Sequence, residues 1–148
     1  MLRVSKLTDY ATVVMACLAT AGDGVLSAQA LSERSRLEVP TVSKLLKVLA
    51  QAELVVSTRG NLGGYRLARA PAQITIADIV TAMEGPIGMT ECSAHAGACG
   101  HESHCGVRVN WQRINQAIAT ALDSVTLADM LKIPPRRGAP IPMRVATV

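Results

Sequence analysis

Three of the four cysteines in this 148-residue chain lie close together in the sequence. They are spaced Cys92-x6-Cys99-x5-Cys105, and all three histidines, His95, His101 and His104, lie inside the same segment. Thiolate and imidazole are nucleophiles and metal ligands, so chemistry in this chain is expected here. Disulfide pairing cannot use all three thiols, and a chain without a secretory leader is expected to stay in the reducing cytoplasm.

Three kinds of chemistry remain open for these thiols. Structural zinc sites prefer closer ligand spacing than this, although His101 and Cys105 would fit one. An iron–sulfur cluster tolerates varied spacing, because a flexible loop can wrap around a larger inorganic core. We therefore favour a cluster, with a zinc site and an unligated redox-active thiol loop as alternatives. The fourth cysteine, Cys17, lies in an apolar stretch and is expected to be a small core residue.

A cluster held by three thiolates still lacks one ligand. That ligand has to come from a loop histidine, from elsewhere in the chain or from a partner subunit. Nitrogen and oxygen ligands are more labile on such clusters than thiolate, which suits a sensor.

The chain before the cysteines predicts a helix-turn-helix unit. Residues 5–20 carry apolar side chains at helical spacing. Ser27 is a good N-cap for a short second helix, and Pro40 suits the first turn of a third helix over residues 41–52. That third helix has an apolar inner face, while its outer face is polar and basic.

The segment after the third helix predicts a β-hairpin. Short β-forming runs flank the glycine-rich residues 59–64, and a hairpin directly after a helix-turn-helix unit is a wing. The predicted DNA-contacting residues lie on the third helix and on this wing. They are Pro40, Thr41, Ser43, Lys44, Lys47, Arg59, Gly60 and Arg66.

The charge distribution agrees with an anionic partner for the first part of the chain. Residues 1–70 hold nine Lys and Arg against five Asp and Glu, residues 71–131 hold two against six, and residues 132–148 hold four and no acid. Nucleic acid is the usual anionic partner of such a basic section. Hydrophobic residues make up 49% of the chain. Such a composition excludes wholesale disorder, and the apolar runs are too short to predict a membrane protein.

The second half predicts a linker helix, a long loop and a dimerisation helix. From about residue 105 the apolar side chains Val107, Trp111, Ile114 and Ile118 follow coiled-coil-like spacing, which is typical of a helix that pairs with a second copy. The alternative is a helix that lies on its own domain.

These elements predict four segments and a fold that is mainly α with one small β-hairpin. We predict a winged helix-turn-helix domain over residues 1–70 and a linker helix and cysteine loop over 71–104. A dimerisation helix and a short terminal helix follow over 105–131, and a flexible basic tail over 132–148.

Four motifs stand in a fixed order along roughly residues 1–131. They are Leu7-Thr8-Asp9-Tyr10-Ala11, the glycine-rich run that continues as Gly64-Tyr65-Arg66-Leu67-Ala68, the three-cysteine loop, and Thr126-Leu127-Ala128-Asp129. As an ordered set they resemble the Rrf-type winged-helix transcriptional regulators of the IscR and NsrR kind, and most closely those that regulate the SUF iron–sulfur assembly system.

This resemblance implies a homodimer that binds palindromic double-stranded operators, with a 2Fe–2S cluster favoured and a 4Fe–4S cluster possible on the three loop cysteines. In some members an acidic residue in the first helix of the partner subunit completes the cluster, and Asp9 occupies that position. In others a histidine three residues after the last cysteine does so, but this chain has Arg108 there. Asp9 is therefore favoured narrowly over His101 and His104.

An enzyme is the alternative from a different class. A thiol peroxidase or a zinc hydrolase could use Cys and His together. No Ser-His-Asp set, glycine-rich phosphate loop or His-Glu-x-x-His helix is evident in the sequence. We expect a cytoplasmic regulator, most readily a repressor, rather than an enzyme.

Overall fold

The computed structural model describes residues 3–132 as a mainly helical chain with one antiparallel β-hairpin. This confirms the predicted fold class. The helices are α1 (Lys6–Thr20), α2 (Ala28–Ser35), α3 (Val39–Gln51), α4 (Ile76–Glu84), α5 (Glu91–Ala94), α6 (Arg108–Asp123) and α7 (Leu127–Leu131). The strands are β1 (Val55–Thr58) and β2 (Gly64–Leu67), and single 3₁₀ turns span Pro71–Gln73 and Glu102–His104. The predicted basic tail lies, apart from Lys132, outside the described residues.

The first residues of the first three helices suit helix starts, although α3 begins at Val39, two residues before the predicted start. The Ser5 hydroxyl accepts the Thr8 N–H at the start of α1, and the Ser27 hydroxyl accepts the Ala30 N–H at the start of α2. Pro40 lies in the first turn of α3, where a missing N–H leaves no helical hydrogen bond unmade. The helix-turn-helix prediction from the sequence is confirmed.

The hairpin is a wing whose turn requires glycine. Gly60 has a φ of +114°, and a Cβ added at Gly63 would lie 2.3 Å from the Thr58 carbonyl oxygen. Tyr65 and Leu26 exchange both backbone hydrogen bonds, at 2.8 and 2.9 Å. The wing is thereby tied to the chain segment that leads into α2, so its base is fixed to the helical body.

A single core joins α1, α2 and α3 to elements far along the sequence. Ile74, Ile79 and Leu127 are completely buried in the same apolar cluster as the inner faces of the first three helices. The predicted boundary at residue 70 therefore does not separate two bodies, because α4 and α7 complete the core of the winged helix-turn-helix unit. Periodicity could not show this, since it reports a buried face but not its partner.

A short backbone clasp holds α7 beside α4. The Ile76 N–H donates to the Val125 carbonyl and the Leu127 N–H to the Ile74 carbonyl, both at 2.8 Å. Each helix begins with a capping box, in which a threonine hydroxyl and an aspartate carboxylate satisfy free backbone N–H groups of the first turn. The chain leaves the core after α4, forms α5 and α6, and returns to the core at α7. The clasp joins the start of α4 to the start of α7.

The loop and α6 differ from the prediction in two details. The predicted long loop contains α5 and a 3₁₀ turn, and α6 begins at Arg108 rather than at about residue 105. None of the 16 residues of α6 is fully buried. Within residues 3–132 no helix combines the length and the apolar character needed to cross a bilayer.

Truncation of a core side chain on α3 tests this packing. Leu49 is completely buried. Leu49→Ala should therefore lower the free energy of unfolding by about 2–5 kcal/mol in chemical denaturation. Leu62 at the wing turn is 93% exposed, and Leu62→Ala should leave that free energy almost unchanged. Equal losses in the two variants would contradict the assigned core.

Candidate functional site

The outer face of α3 presents a row of unused polar side chains. Pro40, Ser43, Lys44 and Lys47 are exposed and Thr41 is half-buried, while the opposite face of the helix is buried in the core. Among the side-chain hydrogen bonds and ion pairs within residues 3–132, none involves this row. The helix therefore offers donors and positive charge to a partner rather than to its own fold.

The wing tip extends this surface with a further cation. Arg59 and Gly60 are exposed at the tip, and Arg59 makes no ion pair within the described residues. Together with Lys44 and Lys47 it forms a set of unpaired cations on the helix and the wing tip. Unpaired, solvated cations on adjoining elements are the electrostatic pattern of a phosphate-binding surface.

The structure separates Arg66 from this surface, which corrects the grouping made from sequence. Successive residues of a strand point to opposite faces, and Tyr65 lies on the face toward α3. Arg66 instead lies beside Ala19 and Asp23, at the end of α1, and one of its guanidinium N–H groups donates to the Leu67 carbonyl at 3.3 Å. We therefore leave Arg66 out of the proposed DNA-facing surface.

The three loop cysteines are free and half-buried, but they are not gathered in one place. Cys92 lies in the first turn of α5, with its sulfur 3.3 Å from the Thr90 hydroxyl, and Cys105 follows the second 3₁₀ turn. Within residues 3–132 no three His, Cys, Asp or Glu side chains meet as a set that could hold a metal ion. The predicted ligands Cys92, Cys99 and Cys105 thus remain a prediction.

The loop nevertheless has ligands and open space that suit an iron–sulfur cluster. Three reduced thiols supply the ligands that iron–sulfur clusters use. A Cβ added at Gly97, Gly100 or Gly106 would meet no other atom within 4 Å, so the space beside the backbone is open at these three positions. Bringing the thiols together requires the loop to rearrange, and this unpacked backbone leaves room for it.

One carboxylate fixes the present shape of the loop. Glu102 accepts the Gly97 N–H at 2.6 Å and forms an ion pair with Arg108 at the start of α6. Through this ion pair, Arg108 tethers the cysteine loop to α6. The buried Nε of Arg108 has no hydrogen-bond partner among the described residues, so this tether leaves one polar atom unsatisfied.

The candidates for a fourth ligand lie in two different places. Asp9 is exposed in the first turn of α1, and its carboxylate makes no hydrogen bond or ion pair within residues 3–132. His101 and His104 lie in the loop itself, and Nδ1 of His104 is 2.8 Å from the Ser103 hydroxyl. Cys17 is half-buried on α1, where burial raises the pKa of its thiol, as suits a packing residue.

A contact that sequence analysis missed joins the end of α4 to the start of α1. The Glu84 carboxylate accepts the Ser5 N–H at 3.0 Å and the hydroxyl of the buried Thr8. These hydrogen bonds, above all the one from Thr8, hold the pKa of Glu84 below its ordinary value of 4.5. Glu84 ends α4, eight residues before Cys92, so the contact joins the start of the segment that leads to the cysteines to the first turn of α1. No local pattern could reveal it, because its partners lie 76 and 79 residues apart.

A second anchor fixes the chain just before the cysteines. The Asn115 side chain on α6 accepts the Met89 N–H at 3.1 Å and donates to the Ile87 carbonyl at 3.0 Å. The segment from α4 to α5 is therefore held at one end by α1 and in its middle by α6. The segment before the cysteines is thereby joined to both helices.

Comparison with known proteins identifies relatives over most of the chain. Residues 4–133 match the family Rrf2, described as an iron-dependent transcriptional regulator. The chain is similar to the HTH-type transcriptional regulator IscR of Sodalis glossinidius, with 30% identity over 131 residues, 88% of this chain and 79% of that protein.

Two solved structures have the same fold. CymR, the global cysteine regulator of B. subtilis, superposes with a TM-score of 0.69 at 33% identity, covering 88% of this chain and 97% of that one. IscR of T. potens superposes with a TM-score of 0.64 at 37% identity, covering 88% of this chain and 86% of that one. These relatives include regulators of two different kinds, an IscR and a cysteine regulator.

The Glu84 contact predicts a specific pH dependence of stability. A carboxyl whose pKa is lowered by folding stabilises the fold fully above its ordinary value, here 4.5, and loses that contribution as pH falls through the lowered value. Glu84→Gln should therefore flatten the decline of the free energy of unfolding below pH 4.5, measured by denaturant titration. Glu53→Gln, at an exposed position without a side-chain hydrogen bond among the described residues, is the control and should leave the decline unchanged. An unaltered pH profile in Glu84→Gln would contradict the assigned contact.

Proposed function

The chain belongs to the Rrf2 family of transcriptional regulators, and from this membership we propose that it is a dimeric, DNA-binding repressor whose cysteine loop holds an iron–sulfur cluster. Its relatives are transcriptional regulators and not enzymes. The observation that carries the DNA-binding part is the set of unpaired cations Lys44, Lys47 and Arg59 on one helix face and the adjoining wing tip. The proposed target genes are those of iron–sulfur cluster assembly.

The proposed docking places α3 in the major groove of an operator. Pro40, Thr41, Ser43 and Lys44 lie in its first two turns and face the base edges, while Lys47 and the wing-tip residues Arg59 and Gly60 face the phosphate backbone. A palindromic operator with half-sites one helical turn or a multiple apart would match a two-fold dimer.

The proposed dimer uses the exposed apolar face of α6. Val107, Trp111 and Ile114 are 54%, 37% and 45% exposed. Such exposure is unusual for several large apolar side chains on one helix face. Ile118 is half-buried beside the chain's own Ile87 and Met89, so it contributes to the inner edge of that face. A second copy of α6 would cover these side chains.

The proposed cluster ligands are Cys92, Cys99 and Cys105, with Asp9 of the partner subunit favoured over His101 and His104 as the fourth. The donor chemistry and the open backbone of the loop support this, and a 2Fe–2S cluster is favoured over 4Fe–4S. When bound, such a group supplies redox chemistry and reacts with oxidants and nitric oxide, so it makes the loop responsive to cellular conditions.

The chain itself provides a route from the loop to the DNA-binding helices. A change in loop shape would act on Glu84 and through it on the first turn of α1, which packs against α2 and α3. Regulation then requires only that the two loop states differ in affinity for the operator.

A second candidate is a regulator whose loop thiols respond to redox state or hold zinc. The similarity to the B. subtilis cysteine regulator favours it, as does the separation of the three thiols in this conformation. Metal and sulfide analysis separates the candidates, because a cluster contains iron with sulfide, a zinc site contains zinc without sulfide, and a thiol switch contains neither.

Removal of the unpaired cations should weaken DNA binding. The test uses a duplex that the wild-type protein selects from a random library. Lys44→Ala and Arg59→Ala should each raise the Kd for this duplex roughly tenfold. The mass of the dimer should stay unchanged. Arg66→Ala removes the same charge from the opposite face of the wing and should have a much smaller effect. Fluorescence anisotropy of a labelled duplex measures these Kd values. A loss of affinity in Arg66→Ala as large as in Arg59→Ala would contradict the proposed orientation of the wing.

Replacement of single cysteines tests the cluster. Protein purified without oxygen should absorb visible light and contain iron and acid-labile sulfide. Cys92→Ala, Cys99→Ala or Cys105→Ala should abolish both properties, while Cys17→Ala should keep them. Full iron and sulfide in any of the three loop variants would exclude that cysteine as a ligand.

A further inference from the structure

A groove of about 550 Å³ separates the outer face of α3 from the wing. Ser43, Lys47 and Gln51 form one wall, spaced one helical turn apart along α3. Ser57 and Tyr65 form the other wall. They are direct cross-strand partners and therefore point to the same face of the hairpin. Leu46 and Ala50 complete the lining.

The polar groups that line this groove are unused by the fold. Nine serines lie in the described part of the chain, and the hydroxyls of seven make hydrogen bonds. The two others are Ser43 and Ser57, and both line the groove. Gln51 and the Tyr65 hydroxyl also make no hydrogen bond to any described residue, and neither is among the buried polar atoms left unpartnered. Solvent therefore satisfies them.

The walls are fixed in position although their polar ends are free. The main chain of Tyr65 is held by both hydrogen bonds to Leu26, and β2 is paired with β1 along its whole length. On the other side, α3 is anchored by its completely buried inner face. The donors are therefore held on rigid elements, which reduces the entropy lost when a ligand binds.

We propose that this groove binds one phosphodiester of the DNA backbone in each half-site, with Lys47 as the only cation and Ser57, Gln51 and Tyr65 as neutral hydrogen-bond donors. This inference rests on the proposed DNA-binding function and adds residues that it does not otherwise use. A phosphodiester carries one negative charge and several acceptor oxygens, which matches one ammonium and several neutral donors. No acidic residue lines the groove.

The position of the groove agrees with this ligand. The protein groove lies between the helix proposed to enter the major groove and the wing proposed to contact the flanking DNA backbone. The DNA strand that borders the major groove would therefore pass over the protein groove. Contacts of this kind carry no base sequence information but set the register of the protein on the duplex. The groove would therefore fix how deeply α3 enters the major groove.

Isosteric substitutions separate the neutral donors from the cation. Tyr65→Phe and Ser57→Ala should each weaken binding to the selected duplex about three- to tenfold while the dependence of log Kd on log salt keeps its slope. Lys47→Ala should also weaken binding, and it should reduce the magnitude of that slope by about 1. Tyr10→Phe is the matched control. Tyr10 is the other of the two tyrosines and lies on α1, away from the groove, so its substitution should leave the Kd unchanged.

A single-phosphate scan identifies the ligand itself. Replacing one phosphate of the duplex by a neutral methylphosphonate should weaken wild-type binding at several positions. At one of them in each half-site, a variant that combines Lys47→Ala with Ser57→Ala and Tyr65→Phe should lose little more. Wild-type affinity in Tyr65→Phe and Ser57→Ala, with the thermal midpoint unchanged, would overturn this inference and leave the proposed function intact. Failure of the wild-type protein to select any duplex would instead overturn the proposed function, and this inference with it.

Discussion

Burial of the apolar stripe of α3 governs where the functional surfaces of the molecule lie. Val42, Leu45, Leu46 and Leu49 are all completely buried. Each such side chain stabilises the fold by about 1.5–3 kcal/mol relative to exposure. Because these side chains point into the core, the side chains on the opposite face of α3 point outward. The lysines of α3 therefore face solvent. The same packing sets the position of β1, which follows α3 after a short turn, and hence of the groove between helix and wing.

The core joins the first three helices to α4 and α7, which lie on either side of the cysteine loop in the sequence. Ile79 and Leu127 lie in the same cluster as α1, so the segment between α4 and α7 is an excursion that begins and ends at the core. Fully buried side chains are absent from α5, α6 and the loop between them. Few buried contacts mean a low free energy of local opening, so a conformational change costs least in this excursion.

Polar contacts hold that excursion at its start and within it. Glu84, the last residue of α4, joins its start to α1. Within the excursion, Asn115 joins the segment before α5 to α6, and Glu102 joins the cysteine loop to Arg108 of α6. The loop is therefore attached to neighbouring elements at defined points. Its attachment at Glu84 leads to the helices that carry the DNA-facing surface, and its attachment at Asn115 leads to the helix proposed to pair with a second copy.

The local features of this protein follow from its sequence alone. Ser27 caps the second helix as predicted, and the glycine run at residues 59–64 makes the predicted turn, because capping and turn geometry depend on neighbouring residues. The family motifs could be recognised in the same way, since they are ordered segments of the chain. Which distant groups meet was evident only from the folded chain. Packing placed α4 and α7 in the first core, turned Arg66 away from α3 and paired Glu84 with Thr8. Such contacts are set by the packing of whole elements, which local spacing does not record.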